Sequence, residues 1–293
     1  MKIIDGKKIA AELKESIKIE VAEIIDKGNR APHLVAVLVG DDPASQTYVS
    51  GKEKACKEVG FTSSVYRLTE TTSEAELLKV VGFLNSDEDV DGFIVQLPLP
   101  KHINESKILD AISPSKDVDG FHPTNLGRMV LGLPAFLPAT PFGILKMLEY
   151  YKIETEGKHC VVLGRSNIVG TPVSLLMSRK AYPGNSTVTI CHTKTTNVKE
   201  ICLTADILIA AVGQPNYVTA DMVKNGAVII DVGMHRIADE SKKNGYRLIG
   251  DVDYLNVAPK CKAISPVPGG VGPMTIVSLI LNTFKAYKKE VYS

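Results

Sequence analysis

Neither sign of charge dominates this chain. Thirty-four Lys and Arg stand against 33 Asp and Glu, a net charge of +1 over 293 residues, and no Lys/Arg-rich run occurs. That balance gives no electrostatic footprint for a nucleic acid or a membrane surface. Cysteine is sparse: Cys56, Cys160, Cys191, Cys202 and Cys261 are odd in number and widely spaced, with no C-x-x-C. A disulfide framework or a Cys-rich zinc site is excluded, and a reducing cytoplasm fits. Long apolar runs are missing. The best, Ile207 to Val212, is strand-sized and far short of the roughly 20 residues a membrane span needs. Met1-Lys2-Ile3-Ile4-Asp5-Gly6 lacks the apolar core of a signal peptide. There is no H-E-x-x-H, no Gly run leading to Lys-Ser/Thr and no G-x-S-x-G, and the six histidines are scattered. No metal site and no serine nucleophile is expected.

What is present is an alternation of short apolar runs and amphipathic stretches, in a chain long enough for two domains. His33–Val39 reads as a buried strand, 43–59 as a helix closed by Gly60, and 64–68 as a second strand. Ser73 caps a helix to Leu84 with Glu76 as its capping-box partner, and Gly92–Val95 is a third strand. This βαβαβ order implies a parallel sheet with right-handed crossovers. Six prolines between Pro98 and Pro138, with a short helical stretch at 105–112, mark a connection. A second α/β unit follows: a helix over 142–151 capped by Thr140 and Pro141, a strand at 160–163, a helix at 169–179, and strands at 187–191, 207–212 and 227–230. The expected architecture is two open α/β domains, 1–138 and 139–274, with a cleft between them. The second is Rossmann-like, and a final helix, 275–288, returns to the first domain.

Gly164-Arg165-Ser166-Asn167-Ile168-Val169-Gly170 sits where strand meets helix, the place of a nucleotide-binding turn. It is not G-x-G-x-x-G, since Ser166 replaces the middle glycine, and an ordinary βα turn is the plain alternative. NAD sites place an acid at the end of the second strand. Here that strand ends Cys191-His192-Thr193-Lys194-Thr195, without one. Arg165 in the turn and hydroxyls at the strand end suit a 2′-phosphate, so the reading is NADP; otherwise Arg165 and Lys194 are merely solvated charges. Two later strands end in glycine, at Gly213 and at Gly233-Met234, which lets a cofactor lie across the sheet edge.

Tyr48 and Lys52, four apart on the 43–59 helix, share a face. The plain reading is a solvated lysine over a half-buried tyrosine. Gln96, between strand 92–95 and Leu97-Pro98-Leu99-Pro100, stands at the carboxyl edge of a parallel sheet, where ligands bind. A glutamine there can hold a lysine or a substrate amide, and a lysine partly withdrawn from water can act as acid or base near neutrality. Lys116-Asp117-Val118-Asp119-Gly120 admits three readings: a metal loop lacking enough acids, a polar turn, or a carboxylate that recognises an amidine-like heterocycle. Pro268-Gly269-Gly270-Val271-Gly272-Pro273-Met274-Thr275 reads as a ligand-lining loop that feeds the last helix.

Taken together, five stretches in order resemble the bifunctional methylenetetrahydrofolate dehydrogenase/methenyltetrahydrofolate cyclohydrolase (FolD) family: Tyr48-x-x-x-Lys52, Val95-Gln96-Leu97-Pro98-Leu99-Pro100, Lys116–Gly120, Gly164–Gly170 and Pro268–Thr275. The resemblance spans nearly the whole chain. It implies an oxidoreductase and hydrolase of one-carbon metabolism and purine biosynthesis, acting on tetrahydrofolate derivatives with NADP, cytoplasmic and homodimeric. It further implies Lys52 as acid/base, Gln96 as its holder, Tyr48 packing on folate and Asp119 binding the pterin edge, so that these four are the catalytic set. Val95, Leu97, Pro268, Gly269, Gly270 and Val271 would join them in lining the folate. Gly164, Arg165, Ser166, Val169, Thr193, Gly213, Gly233 and Met234 would hold NADP. Where the family often has Gly-Ile-Asn, this chain has Gly233-Met234-His235, leaving His235 without an expected role. A dehydrogenase without hydrolysis and a non-catalytic NADP sensor are the alternatives; the intact Lys52 and Gln96 argue against both.

Overall fold

A computed structural model describes residues 1–242 and 245–292. In chain order the elements are β1 (Lys2–Ile3), α1 (Gly6–Asp26), β2 (His33–Val39), α2 (Pro43–Glu58), β3 (Thr62–Leu68), α3 (Glu74–Ser86), β4 (Gly92–Val95), α4 (Glu105–Ala111), α5 (Pro123–Val130) and α6 (Ala139–Tyr150). There follow β5 (His159–Leu163), α7 (Gly170–Ser178), β6 (Thr187–Cys191), α8 (Val198–Leu203), β7 (Ile207–Ala210), β8 (Val228–Asp231), β9 (His235–Ala238), β10 (Tyr246–Ile249), α9 (Tyr254–Val257), β11 (Ala263–Ile264) and α10 (Val271–Tyr287). The chain divides into two compact units. One comprises Ala11–Ala139 with Ile276–Ser293, the other Met1–Ala10 with Thr140–Thr275.

The first unit is built on a parallel sheet of order β3-β2-β4. Strand side chains alternate between faces, and β2 shows the consequence. Leu34, Ala36 and Leu38 pack with Ile17 and Val21 of α1, Val49 of α2, and Leu279, Ile280 and Phe284 of α10. Val35, Val37 and Val39 pack on the other face with Leu77, Val81 and Leu84 of α3 and Ile108 of α4. Burial on both faces is why β2 is a continuous apolar run. The caps follow local chemistry. The Asp42 carboxylate accepts from Ser45 N at 2.7 Å with Pro43 in the first turn of α2, and Ser73 and Glu76 form a reciprocal capping box on α3. Because β2 pairs with β3 on one side and β4 on the other, the order in which strands are added reverses at β2 and β4, though all three run parallel. That reversal is the switch point where ligands bind in open α/β sheets.

The second unit carries a parallel sheet of order β1-β11-β8-β7-β5-β6 and an antiparallel β9–β10 pair. The first ten residues lie here and not with the residues that follow them, because β1 pairs with β11 at the sheet edge. A two-residue strand has no periodicity of its own to betray it. The last helix also differs from expectation: α10 starts at Val271, so the second half of the Gly-rich stretch is its first turn. Pro273 is tolerated there because a first-turn N–H has no intrahelical acceptor to lose.

Candidate active site

Within the first unit, Lys52 and Gln96 meet. Lys52 projects from the middle of α2, and its Nζ donates to Gln96 Oε1 at 3.2 Å. Gln96 is fixed at both ends. Its backbone N–H prolongs the sheet by donating to Val37 O at 2.9 Å, and its side-chain Nε2 donates to Leu97 O at 2.7 Å. The amide orientation follows: the oxygen must face the lysine. Tyr48 lies one turn earlier on α2 and keeps 43% of its surface exposed, which leaves ring area for a planar ligand. Val95 has its side chain in the core beside Phe93, so it can offer a ligand only backbone.

The two acids of Lys116–Gly120 are both desolvated but differ in their partners. Lys116 O accepts from Phe93 N at 3.0 Å, so the segment runs beside β4. Asp117 is buried, and its carboxylate accepts from Phe121 N, His122 N and Asn125 Nδ2. Desolvation pushes its pKa up to about 7 against those donors, with the Asp119 charge adding to the rise. It organises the turn. Val118 fills the space opposite Gly92, and the buried Asn282 of α10 donates to Val118 O at 2.8 Å and to Leu137 O at 2.9 Å. Asp119, held between these anchors, accepts no hydrogen bond among the described residues. Desolvation raises its pKa, and the nearby Lys52 charge opposes that rise. A carboxylate fixed in place, unsatisfied and beside a lysine has acceptor capacity free for a ligand donor pair. Asn125 and Asn282 have no sequence signal in the five stretches; only the fold reveals them.

The second unit places a cavity of about 240 Å3 at the carboxyl ends of β5, β6 and β7, lined by Gly164, Arg165, Ser166, His192, Thr193, Val212, Gln214 and Tyr217 among others. Gly164 has φ +110°, and a Cβ there would collide with the Ala211 carbonyl. A Cβ at Gly170 would collide with Gly164 O. Only glycine permits this close strand–turn–helix approach. Ser166 Oγ takes the place of a glycine contact by accepting from Val169 N at 3.2 Å and Gly170 N at 3.4 Å. Arg165 is exposed and makes no ion pair among the described residues. A cavity with a cationic side chain at the helix start fits a dinucleotide. Val169, Gly213, Gly233 and Met234 do not line it. Gly213 (φ +70°) shapes its rim, and Gly233 N donates to Asp231. Sequence reasoning passed over His192, Val212, Gln214 and Tyr217, whose only signal is their place just past a strand end.

The Pro268–Thr275 stretch is also in this unit. Of its glycines, Gly270 is required by packing. A Cβ at Gly270 would sit 2.5 Å from Pro266 O, and one at Gly6 would collide with Gly270 O. Val271 is buried. Pro268 stays exposed and Gly269 partly so; Gly269 has φ +105°, and its carbonyl accepts from Lys7 N at 2.9 Å. Among the described residues, no group of three His, Cys, Asp or Glu could hold a metal ion, and no helix is long and apolar enough to cross a membrane.

Comparison with known proteins identifies the family. Residues 4–119 match the family model "Tetrahydrofolate dehydrogenase/cyclohydrolase, catalytic domain", and residues 138–291 match its NAD(P)-binding domain. The Bifunctional protein FolD of Cytophaga hutchinsonii is 61% identical over 98% of this chain and 99% of its own. The crystal structure of the bifunctional FolD dehydrogenase/cyclohydrolase from Campylobacter jejuni superposes with a TM-score of 0.93 at 46% identity, covering 99% of both chains. A Trypanosoma brucei methylenetetrahydrofolate dehydrogenase-cyclohydrolase, complexed with NADP cofactor and inhibitor, also gives 0.93, at 36% identity over 99% of this chain and 98% of that one. With both domain models matched and identity this high over the full length, the chain belongs to the tetrahydrofolate dehydrogenase/cyclohydrolase family.

Proposed function

We infer that this protein is a bifunctional enzyme of one-carbon folate metabolism. It oxidises 5,10-methylenetetrahydrofolate to 5,10-methenyltetrahydrofolate with NADP+, and it hydrolyses the product to 10-formyltetrahydrofolate. The observation that carries the hydrolytic half is the Lys52–Gln96 hydrogen bond of 3.2 Å at the switch point of the β3-β2-β4 sheet. When bound, NADP+ accepts the hydride of the first step. Gly164, Arg165, Ser166 and Thr193 would hold it, Arg165 facing its phosphates.

The first step breaks a C–H bond of the methylene bridge, both electrons leaving with the hydrogen. It needs alignment and no strong base. The second adds water to the methenyl carbon, breaks a C–N bond of the ring and releases one proton overall. It needs a group that takes a proton from water and delivers one to the ring nitrogen. Lys52 is that group in our reading. Its partner is a neutral amide oxygen, which restrains the amine without the tight pairing a carboxylate would impose. Gln96 cannot turn away, since its Nε2 is held by Leu97 O. Asp119 accepts from the pterin edge, and Tyr48 packs on the ring.

The free and buried state of all five cysteines supports a reducing compartment such as the cytoplasm. The family resemblance supports a homodimer, which a molar-mass measurement by light scattering checks. Incubating the protein with methylenetetrahydrofolate and NADP+ should yield NADPH and then formyltetrahydrofolate. Absence of NADPH with authentic folate would sink the reading, and stalling at the methenyl product would return a dehydrogenase alone.

A further inference from the structure

His235 has no expected role in the sequence, yet it completes a buried network. Past β7, the chain turns through Val212 and Gly213. Both backbone N–H groups donate to one oxygen of Asp251, Val212 N at 2.7 Å and Gly213 N at 2.9 Å. Asp251 is wholly buried. Its other oxygen accepts from His235 Nε2 at 2.7 Å. The pocket around it is closed on the remaining side, because Gly233 lies so near that a Cβ there would collide with Asp251 Oδ1. Asp251 N in turn donates to Asp231 Oδ1 at 2.9 Å, tying the network to the end of β8. Val212, within the clamped turn, and Gln214, just past it, line the same cavity as Arg165 and Thr193.

We propose that His235 is a positioning residue for the dinucleotide: through Asp251 it fixes the Val212–Gly213 turn that bounds the cofactor cavity. A buried carboxylate must have its oxygens satisfied. Without the imidazole, Asp251 Oδ1 has no donor among the described residues. The carboxylate then rotates or draws in water, and the two N–H groups that hold the turn lose their acceptor. The effect falls on the cofactor side and spares the Lys52 site, which lies in the other compact unit.

The inference rests on the NADP reading, and three variants separate the two. His235→Leu should raise KM for NADP+ by about tenfold, the scale of one charge-assisted hydrogen bond lost at a buried carboxylate. kcat should change less, and hydrolysis of methenyltetrahydrofolate, measured without NADP+, should stay near wild type. His235→Gln, whose Nε2 reaches as far as the imidazole Nε2, should restore KM. Gln214→Ala, altering the wall without touching the clamp, should leave the turn held and shift KM less than His235→Leu. An unchanged KM in His235→Leu overturns the proposal, as does a His235→Gln variant as impaired as His235→Leu. Parallel loss of both activities with a lowered Tm also overturns it, showing a merely structural histidine. If wild-type protein itself binds no NADP+ by calorimetry, the cofactor reading fails instead.

Discussion

The two sites are made of different material. At the β3-β2-β4 edge the chemistry we propose sits on side chains: Lys52, Gln96 and Asp119, standing on elements whose cores close without them. At the β5–β7 edge the site takes its shape from the backbone, with glycines at 164 and 170 letting strand, turn and helix approach and a buried carboxylate orienting N–H groups. A side-chain site can lose its function and keep its fold. A backbone site cannot be altered at its glycines without disturbing the fold that makes it.

The largest effect that would sharpen this contrast is expected from Gly164→Val. A β-branched side chain at φ +110° against the Ala211 carbonyl should cost about 4 kcal/mol or more, placing it among the exceptional destabilisations. Thermal unfolding and NADP+ titration should fail together; a folded variant that merely binds NADP+ weakly would break the comparison.

Next comes Asp117→Asn, which tests whether the first acid is structural. Asp117 has its folded pKa raised to about 7 from 3.8. The proton is bound more tightly in the folded state, so its stabilisation is full below 3.8 and fades as pH rises through about 7. The gap in Tm between wild type and Asp117→Asn should therefore narrow from pH 4 to pH 7. A gap that widens would mean that the three donors outweigh burial.

Asp119→Asn should do the reverse of Asp117→Asn. With no hydrogen bond to lose among the described residues, Tm should hold while folate KM rises by about 10- to 100-fold, the worth of a charge-assisted pair to the ligand. Loss of stability with unchanged KM would exchange the roles of the two acids. The smallest effect is expected from Arg165→Ala. This exposed side chain should cost nothing in Tm and lower the preference for NADP+ over NAD+ by about tenfold.

The contrast also explains what could be read from the sequence. The β2–α2–β3–α3–β4 run was legible almost to the residue. Its strands are continuous apolar runs, and Asp42, Ser73 and Gly60 punctuate the helices. Tyr48, Lys52 and Gln96 followed because a helix face and a strand end fix their places locally. α1 was passed over although Ile9, Leu13, Ile17 and Val21 recur at helical spacing. α5, α8, α9, β1, β9, β10 and β11 were also missed, being short elements settled by their neighbours more than by their own pattern. The difference between Asp117 and Asp119 was invisible, since only three-dimensional partners such as Asn125 tell an anchored acid from an open one. The packing of Gly270 was invisible for the same reason. A glycine needed for packing on Pro266 looks, in sequence, like one that admits a ligand.

The central claim is that one chain carries two separable chemistries, with proton transfer resting on Lys52. The direct measurement is the Lys52→Met enzyme given methylenetetrahydrofolate and NADP+, with NADPH and both folate products followed together. The account predicts that NADPH still forms, more slowly, while methenyltetrahydrofolate accumulates and its hydrolysis falls by about 10²- to 10⁴-fold, the scale of general acid–base catalysis. Formyltetrahydrofolate appearing at the wild-type rate would contradict it.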